Sequence, residues 1–253
     1  MRPKKIIPCL DTRNGKLVKG IKFLNVSDVG DPIERAAEYA RQGADELVLY
    51  DITASNEGRG RISLDLVRAV SEKLSVSLTV GGGISSVGDI QMIIDAGADK
   101  VSINSAAVKN PELIKKAAEV FGSDRIMLGV DAKRNKNGLF VVATNGGQKE
   151  SGKSLIDWVK EAEFLGAGEI CLNSVDADGV KSGYDILMLK EVCRSVSIPV
   201  IASGGCGKLE HFSEVFEKTD VAAALAASVF HFNEMTISEI KEHLLGKGIP
   251  VNK

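Results

Sequence analysis

The chain has 253 residues, 44% of them hydrophobic and 26% charged, with a net charge of −2. This is the composition of an ordinary globular protein long enough for one large core. Nothing in that balance points to a nucleic-acid or membrane-surface partner, both of which favour an excess of basic residues.

At the N-terminus the apolar run over residues 6–10 is too short for a signal peptide or a membrane span, so a cytoplasmic location is expected. From there to the end, short apolar runs alternate with amphipathic segments. Strands are predicted over residues 6–10, 46–50, 77–80, 100–103, 126–130, 169–172, 198–202 and 221–225. Helices are predicted in the gaps. Asp31-Pro32 and Asn110-Pro111 each place a capping residue before a proline suited to the first turn, and Ser86 with Asp89 forms a variant capping box. Ile33, Ala36, Ala37 and Ala40 recur at helical spacing, as do Leu155, Trp158, Val159 and Ala162, giving each segment one apolar stripe. Gly43, Gly97, Gly122 and Gly166 supply left-handed stops.

Eight alternating units in this order predict an α/β fold, a (β/α)8 TIM barrel formed by residues 1–253 as one domain. The two halves, roughly 1–123 and 124–253, also match in register. Cys9-Leu-Asp11 answers Gly129-Val-Asp131, Gly43-Ala-Asp-Glu46 answers Gly166-Ala-Gly-Glu169, and Thr79-Val-Gly-Gly82 answers Ala202-Ser-Gly-Gly205. Asn104-Ser105 likewise answers Ala227-Ser228. A half-barrel repeat follows from that register.

Barrels of this kind place their chemistry at the C-terminal ends of the strands, so the polar residues that close an apolar run carry the most information. Asp11, Asp51, Asp131 and Asp176 stand there. Asp11 and Asp131 end the first strand of each half and should face one another across the mouth, where one carboxylate can remove a proton while the other supplies one. Gly81-Gly-Gly83 with Asn104-Ser105, and Gly204-Gly205 with Ala227-Ser228, form two clusters of exposed backbone N–H and small polar groups suited to phosphate. Half a barrel apart, they imply an elongated substrate with a phosphate at each end. Lys19 lies in a connection longer than most, read as a lid or an unstructured loop.

The four cysteines, Cys9, Cys171, Cys193 and Cys206, lack paired short spacing, and His211, His231 and His243 have no second ligand at metal spacing. No disulfide, metal or cofactor is expected.

Taken together, Ile6-Ile-Pro-Cys-Leu-Asp11, Asp51-Ile-Thr-Ala-Ser55, Thr79-Val-Gly-Gly-Gly-Ile84, Asp99-Lys-Val-Ser-Ile-Asn-Ser-Ala-Ala-Val108, Val130-Asp-Ala-Lys-Arg134, Ile201-Ala-Ser-Gly-Gly205 and Leu225-Ala-Ala-Ser-Val-Phe-His-Phe232 span nearly the whole chain. The set resembles the cyclase subunits of imidazole glycerol phosphate synthase. The resemblance implies a (β/α)8 enzyme of histidine biosynthesis, a lyase that takes ammonia from a glutaminase partner in a heterodimer. With that ammonia it converts phosphoribulosyl-formimino-aminoimidazole carboxamide ribotide into imidazole glycerol phosphate and aminoimidazole carboxamide ribotide.

By the same resemblance Asp11 and Asp131 are the acid/base pair and Lys19 the loop cation that closes over substrate. Asp51, Gly83, Asn104 and Ser105 belong to one phosphate side, and Asp178, Gly179, Ser203, Gly204, Gly205, Ala227 and Ser228 to the other. Lys5, Glu46, Lys100 and Glu169 begin strands and should meet on the axis at the opposite face. The resemblance makes that ring the gate for ammonia. Four positions depart from the family pattern: Lys5 for the usual Arg, Asn173 for the usual Thr, Ala177 for a larger or more polar residue before Asp178, and Val180 for the Thr after the glycine. The related isomerase of the same pathway, a sugar amidotransferase paralogue and a non-catalytic scaffold are the competing expectations.

Overall fold

Each predicted apolar run becomes a strand of one parallel sheet in the computed structural model, which describes residues 3–21, 24–52 and 61–252. The strands are β1 (Lys5–Arg13), β2 (Glu46–Asp51), β3 (Ser77–Gly81), β4 (Lys100–Ile103), β5 (Ile126–Arg134), β6 (Glu169–Ser174), β7 (Val200–Ser203) and β8 (Ala223–Ala226). Neighbours pair in this order, and β8 pairs back to β1, so these eight described strands close into a (β/α)8 barrel. Alternation along each strand separates two cores. Ile6, Leu10, Leu47 and Leu49 face the helices, while Ile7, Cys9, Val48, Met127, Cys171, Ile201, Ala223 and Leu225 fill the interior.

A Gly-Ala-Asp turn precedes two of the strands, β2 and β4. Gly43 and Gly97 sit at φ 89° and 107°, ending the preceding helix as expected. The next aspartate then reaches sideways: Asp45 accepts from Ile6 N at 2.8 Å, and Asp99 from Leu78 N at 2.8 Å. Asp45 is also the partner of Lys241 Nζ at 3.0 Å and Asn252 Nδ2 at 2.9 Å, tying the last helix and the C-terminal segment to β1.

Most helix signals hold. Asp31 accepts from Ile33 N and Glu34 N to start the helix Pro32–Arg41. Its buried stripe runs through Pro32, Ala36 and Tyr39, so Tyr39 takes a place that the sequence pattern assigns to smaller residues. Ser86 accepts from Asp89 N, and Asp89 accepts in return from Ser85 N and Ser85 Oγ. Asn110 does not cap: the helix Glu112–Phe121 begins on Pro111 without a side-chain cap. There the Asn110 carbonyl, not its side chain, takes the first hydrogen bond, from Leu113 N.

Two connections differ from the sequence expectation. The segment bearing Lys19 is not a structureless loop but an antiparallel hairpin, Lys16–Ile21 with Leu24–Gly30, folded back on the end of β1. After β5 a second hairpin, Phe140–Thr144 with Lys149–Ser154, extends the sheet before the helix Leu155–Phe164. Two turns carry Asn-Gly at positive φ: Asn14 and Gly15, at 51° and 74°, join β1 to Lys16–Ile21, and Asn145 and Gly146, at 56° and 63°, lie in the turn of the second hairpin. That geometry matches the right-handed twist of the strands it joins.

Candidate active site

At the C-terminal face of the barrel the strand ends enclose a cavity of about 660 Å³. Asp11 ends the inward face of β1 and Asp131 that of β5, on opposite sides of the eight-stranded ring. Both are buried and both line the cavity.

The two aspartates have different neighbours. Asp131 Oδ1 accepts from Asn173 Nδ2 and Asp131 Oδ2 from Asn104 Nδ2, each at 2.9 Å. Burial raises the Asp131 carboxyl above the ordinary aspartate range, and the charge of Asp11 adds to that. The Asn173 and Asn104 amides pull the other way without cancelling it. Asp11 has Cys9 Sγ at 3.5 Å from Oδ1. In register, Tyr50 stands to Asp11 as Asn173 stands to Asp131.

The glycines bring backbone close to the strand ends. Gly82, at φ 117°, lies against Asp51 so tightly that a Cβ would sit 2.5 Å from the Asp51 carbonyl oxygen. Gly204, at φ 87°, lies in the same way against Ser174 and Asn173. Gly82 therefore matches Gly204, one residue off the alignment of Gly82 with Gly205 expected from sequence. The short turns of helix Ser105–Lys109 and Ser228–His231 begin beside these glycines, on β4 and β8 respectively. Gly83, Asn104, Ser105 and Asp51 line one side of the cavity, and Asp178, Gly179, Ser203, Gly204, Gly205, Ala227 and Ser228 the other.

Two candidates fall elsewhere. Asp176 does not line the cavity, because its carboxylate accepts from Arg134 N at 2.8 Å. Lys19 pairs through its backbone with Ser27 in the first hairpin, and its side chain lies outside the described part of the structure.

The opposite face carries the predicted charges. Lys100 Nζ bridges Glu46 Oε2 at 3.0 Å and Glu169 Oε1 at 2.8 Å, and Lys5 pairs with Glu46. Burial alone would raise Glu46, but Lys5 and Lys100 together hold it below the ordinary glutamate range. Burial wins at Glu169, which is raised despite Lys100.

A family model described as "Histidine biosynthesis protein" matches residues 5–236. The imidazole glycerol phosphate synthase subunit HisF of Clostridium botulinum strain Okra is 53% identical over 252 residues, 99% of both chains. The chain belongs to the HisF family. The subunit from strain Langeland is equally similar at 53%, and that of strain 657 is 52% identical over the same length. This HisF-family chain is therefore an enzyme subunit of histidine biosynthesis.

Sequence reasoning missed several residues that line this HisF-family cavity: Arg13, Tyr50, Ser102, Lys109, Asn145 and Gln148. Asn145 and Gln148 come from the turn of the second hairpin, where Asn145 N donates to Ser105 Oγ at 3.2 Å. The Asn-Gly pair at 145–146 is the signal that would have found them.

Proposed function

We propose that the chain is the cyclase of a glutamine-dependent imidazole glycerol phosphate synthase, a lyase acting on phosphoribulosyl-formimino-aminoimidazole carboxamide ribotide. One observation carries the reading: two buried aspartates from opposite strands share a cavity flanked by two glycine-rich clusters. Asp11 and Asp131 exchange the protons of ring closure and C–N cleavage, and their unequal surroundings suit one to take a proton while the other gives one. Gly83, Asn104 and Ser105 receive one phosphate; Gly205, Ala227 and Ser228 receive the other, with Asp178 and Gly179 closing that side. Asp51 borders the first site, and Lys19 closes over the substrate from the first hairpin.

Ammonia enters from a glutaminase subunit docked on the opposite face, through the ring of Lys5, Glu46, Lys100 and Glu169. Support comes from that end of the barrel, where Val120 and Phe164, near the ends of adjacent helices, expose 60% and 89% of their surface. Apolar residues so exposed suit a protein partner. The proposed heterodimer is cytoplasmic; among the described residues no helix is long and apolar enough to cross a membrane.

The test is turnover of the ribulosyl substrate by the purified chain with an ammonium salt at alkaline pH, beside Asp11→Asn and Asp131→Asn. Ammonia-dependent product that falls at least about 100-fold in both variants is expected, the scale of a lost acid or base. Turnover without ammonia would instead favour the isomerase, and binding without turnover the scaffold.

A further inference from the structure

Three residues stand side by side across β5, β6 and β7: Asp131 is in register with Asn173, and Asn173 with Ser203. Their side chains are linked in the same order. Ser203 Oγ lies 3.3 Å from Asn173 Oδ1, and Asn173 Nδ2 lies 2.9 Å from Asp131 Oδ1. An ionised carboxylate only accepts, so the Asn173 NH2 must turn toward Asp131 and its carbonyl toward Ser203, leaving the serine hydroxyl as donor. Every group in the line then has a fixed direction. Gly204 tightens this arrangement, since a Cβ there would lie 2.7 Å from Asn173 Oδ1.

We propose that Asn173 is the positioning residue of Asp131 and that Ser203 orients Asn173 instead of binding phosphate. The proposal rests on Asp131 serving as acid/base, as argued above. A Ser203 hydroxyl committed to the Asn173 carbonyl is not free to point its proton at a phosphate, and its neighbours Gly204 and Gly205 still offer backbone N–H groups. Asn173, by donating to one oxygen of Asp131 while Asn104 takes the other, prevents the carboxylate from rotating and favours its ionised form.

The groups facing Asp131 include Asp11 from β1, Tyr50 from β2, Asn104 from β4, and Cys171 with Asn173 from β6. No described cation is among the causes acting on Asp131, so loss of an amide donor should register directly in its ionisation.

The experiment compares pH profiles of ammonium-dependent kcat/KM for the wild-type chain, Asn173→Ala, Asn173→Thr and Ser203→Ala. Loss of one hydrogen bond to a charged group should move the acidic limb of Asn173→Ala up by about one pH unit. Asn173→Thr, which keeps one donor, should recover part of that shift. Ser203→Ala should move the limb the same way by less, with KM for substrate within about twofold of wild type, since one orienting hydrogen bond is at stake. An unmoved limb with a large rise in KM for Ser203→Ala would make Ser203 a phosphate ligand and overturn the proposal. So would a lower kcat in Asn173→Ala on an unmoved limb. If the wild type itself makes no product, the cyclase reading fails while this one stays testable: carboxyl 13C NMR of the folded wild-type, Asn173→Ala and Ser203→Ala proteins reports the titration of Asp131 without substrate.

Discussion

The Tyr50 hydroxyl meets Ser102 Oγ at 3.0 Å inside the barrel, beneath the candidate active site. The ring fits because Gly81 has no side chain: a Cβ there would lie 2.5 Å from Tyr50 Cε1. Burial pushes the Cys171 thiol up to about 12, and Tyr50 opposes this by hydrogen bonding to it. Tyr50→Ala should therefore cost about 3–5 kcal/mol as a cavity in a packed interior, read from denaturant unfolding. It should also let a thiol reagent reach Cys171 faster than in wild type. Tyr50→Phe should cost only about 0.5–1.5 kcal/mol, the net value of one hydrogen bond. Equal labelling of Cys171 in all three proteins would show that Tyr50 does not cover it.

Lys100 holds two carboxylates, Glu46 and Glu169, whose side chains are 6% and 12% exposed. Lys100→Met leaves both underpaired and should lower stability by about 3–5 kcal/mol near neutral pH. The pH dependence follows from the direction of each shift. Glu46 lies below its ordinary 4.5, so its contribution is present above that value and fades as pH falls through its lower folded value. Lys100 lies above 10.5, so its contribution persists below that and fades only as pH rises further. Glu169 is raised and so favours the folded state more as acid is added, making it the first of the ring to take a proton. Thermal melts of wild type and Lys100→Met should accordingly differ most between about pH 5 and 10 and converge in acid. A gap that persists unchanged at pH 3 would contradict the assigned pairing.

Gly82→Ala tests the backbone geometry beside Asp51. At φ 117° an alanine is strained, and its Cβ would stand 2.5 Å from a carbonyl oxygen that belongs to β2 and cannot swing away. A loss of about 1–3 kcal/mol is expected from the conformation alone. KM for the proposed bis-phosphorylated substrate should rise as well, because Gly83, next in the chain, and Ser105 line the cavity. A melting temperature equal to wild type would refute the close approach.

Asp45→Ala removes at once the acceptor for Ile6 N, Lys241 and Asn252. The Lys241–Asp45 side chains are 10% and 4% exposed, so the unpaired lysine should cost about 3–5 kcal/mol. Hydrogen exchange should speed up selectively in the C-terminal helix Ile237–Gly246 and at Lys4, whose N–H donates to Pro250 O.

Much of this architecture was legible because a buried parallel strand announces itself as an apolar run, and because its C-terminal residue faces the mouth. Asp11, Asp131, Asn104 and the glycines were found in that way. Strand lengths were less legible: β1 and β5 each run on to an arginine, Arg13 and Arg134, because hairpins pair with their polar ends. Those hairpins were hidden by their composition, since Lys149–Ser154 has no apolar residue to mark it as a strand. The sequence marks Tyr50 only as the end of a strand, and only the absence of a side chain at Gly81, seen in three dimensions, makes it a floor to the cavity. Asn173 stands out in the sequence as a departure from the family pattern, but its double contact needs the register of three strands.

The amide clamp on Asp131 takes one member from each half of the chain, Asn104 from the first and Asn173 from the second. The positions that match them around Asp11 hold Ala227 and Tyr50. A symmetric barrel assembled from two copies of residues 124–253 would therefore carry Asn173 twice but never Asn104. One assembled from two copies of residues 1–123 would carry Asn104 twice, with Tyr50 in place of Asn173. Either chimera keeps the scaffold pattern and loses the clamp, so the two-amide grip on Asp131 needs residues from both halves of the chain.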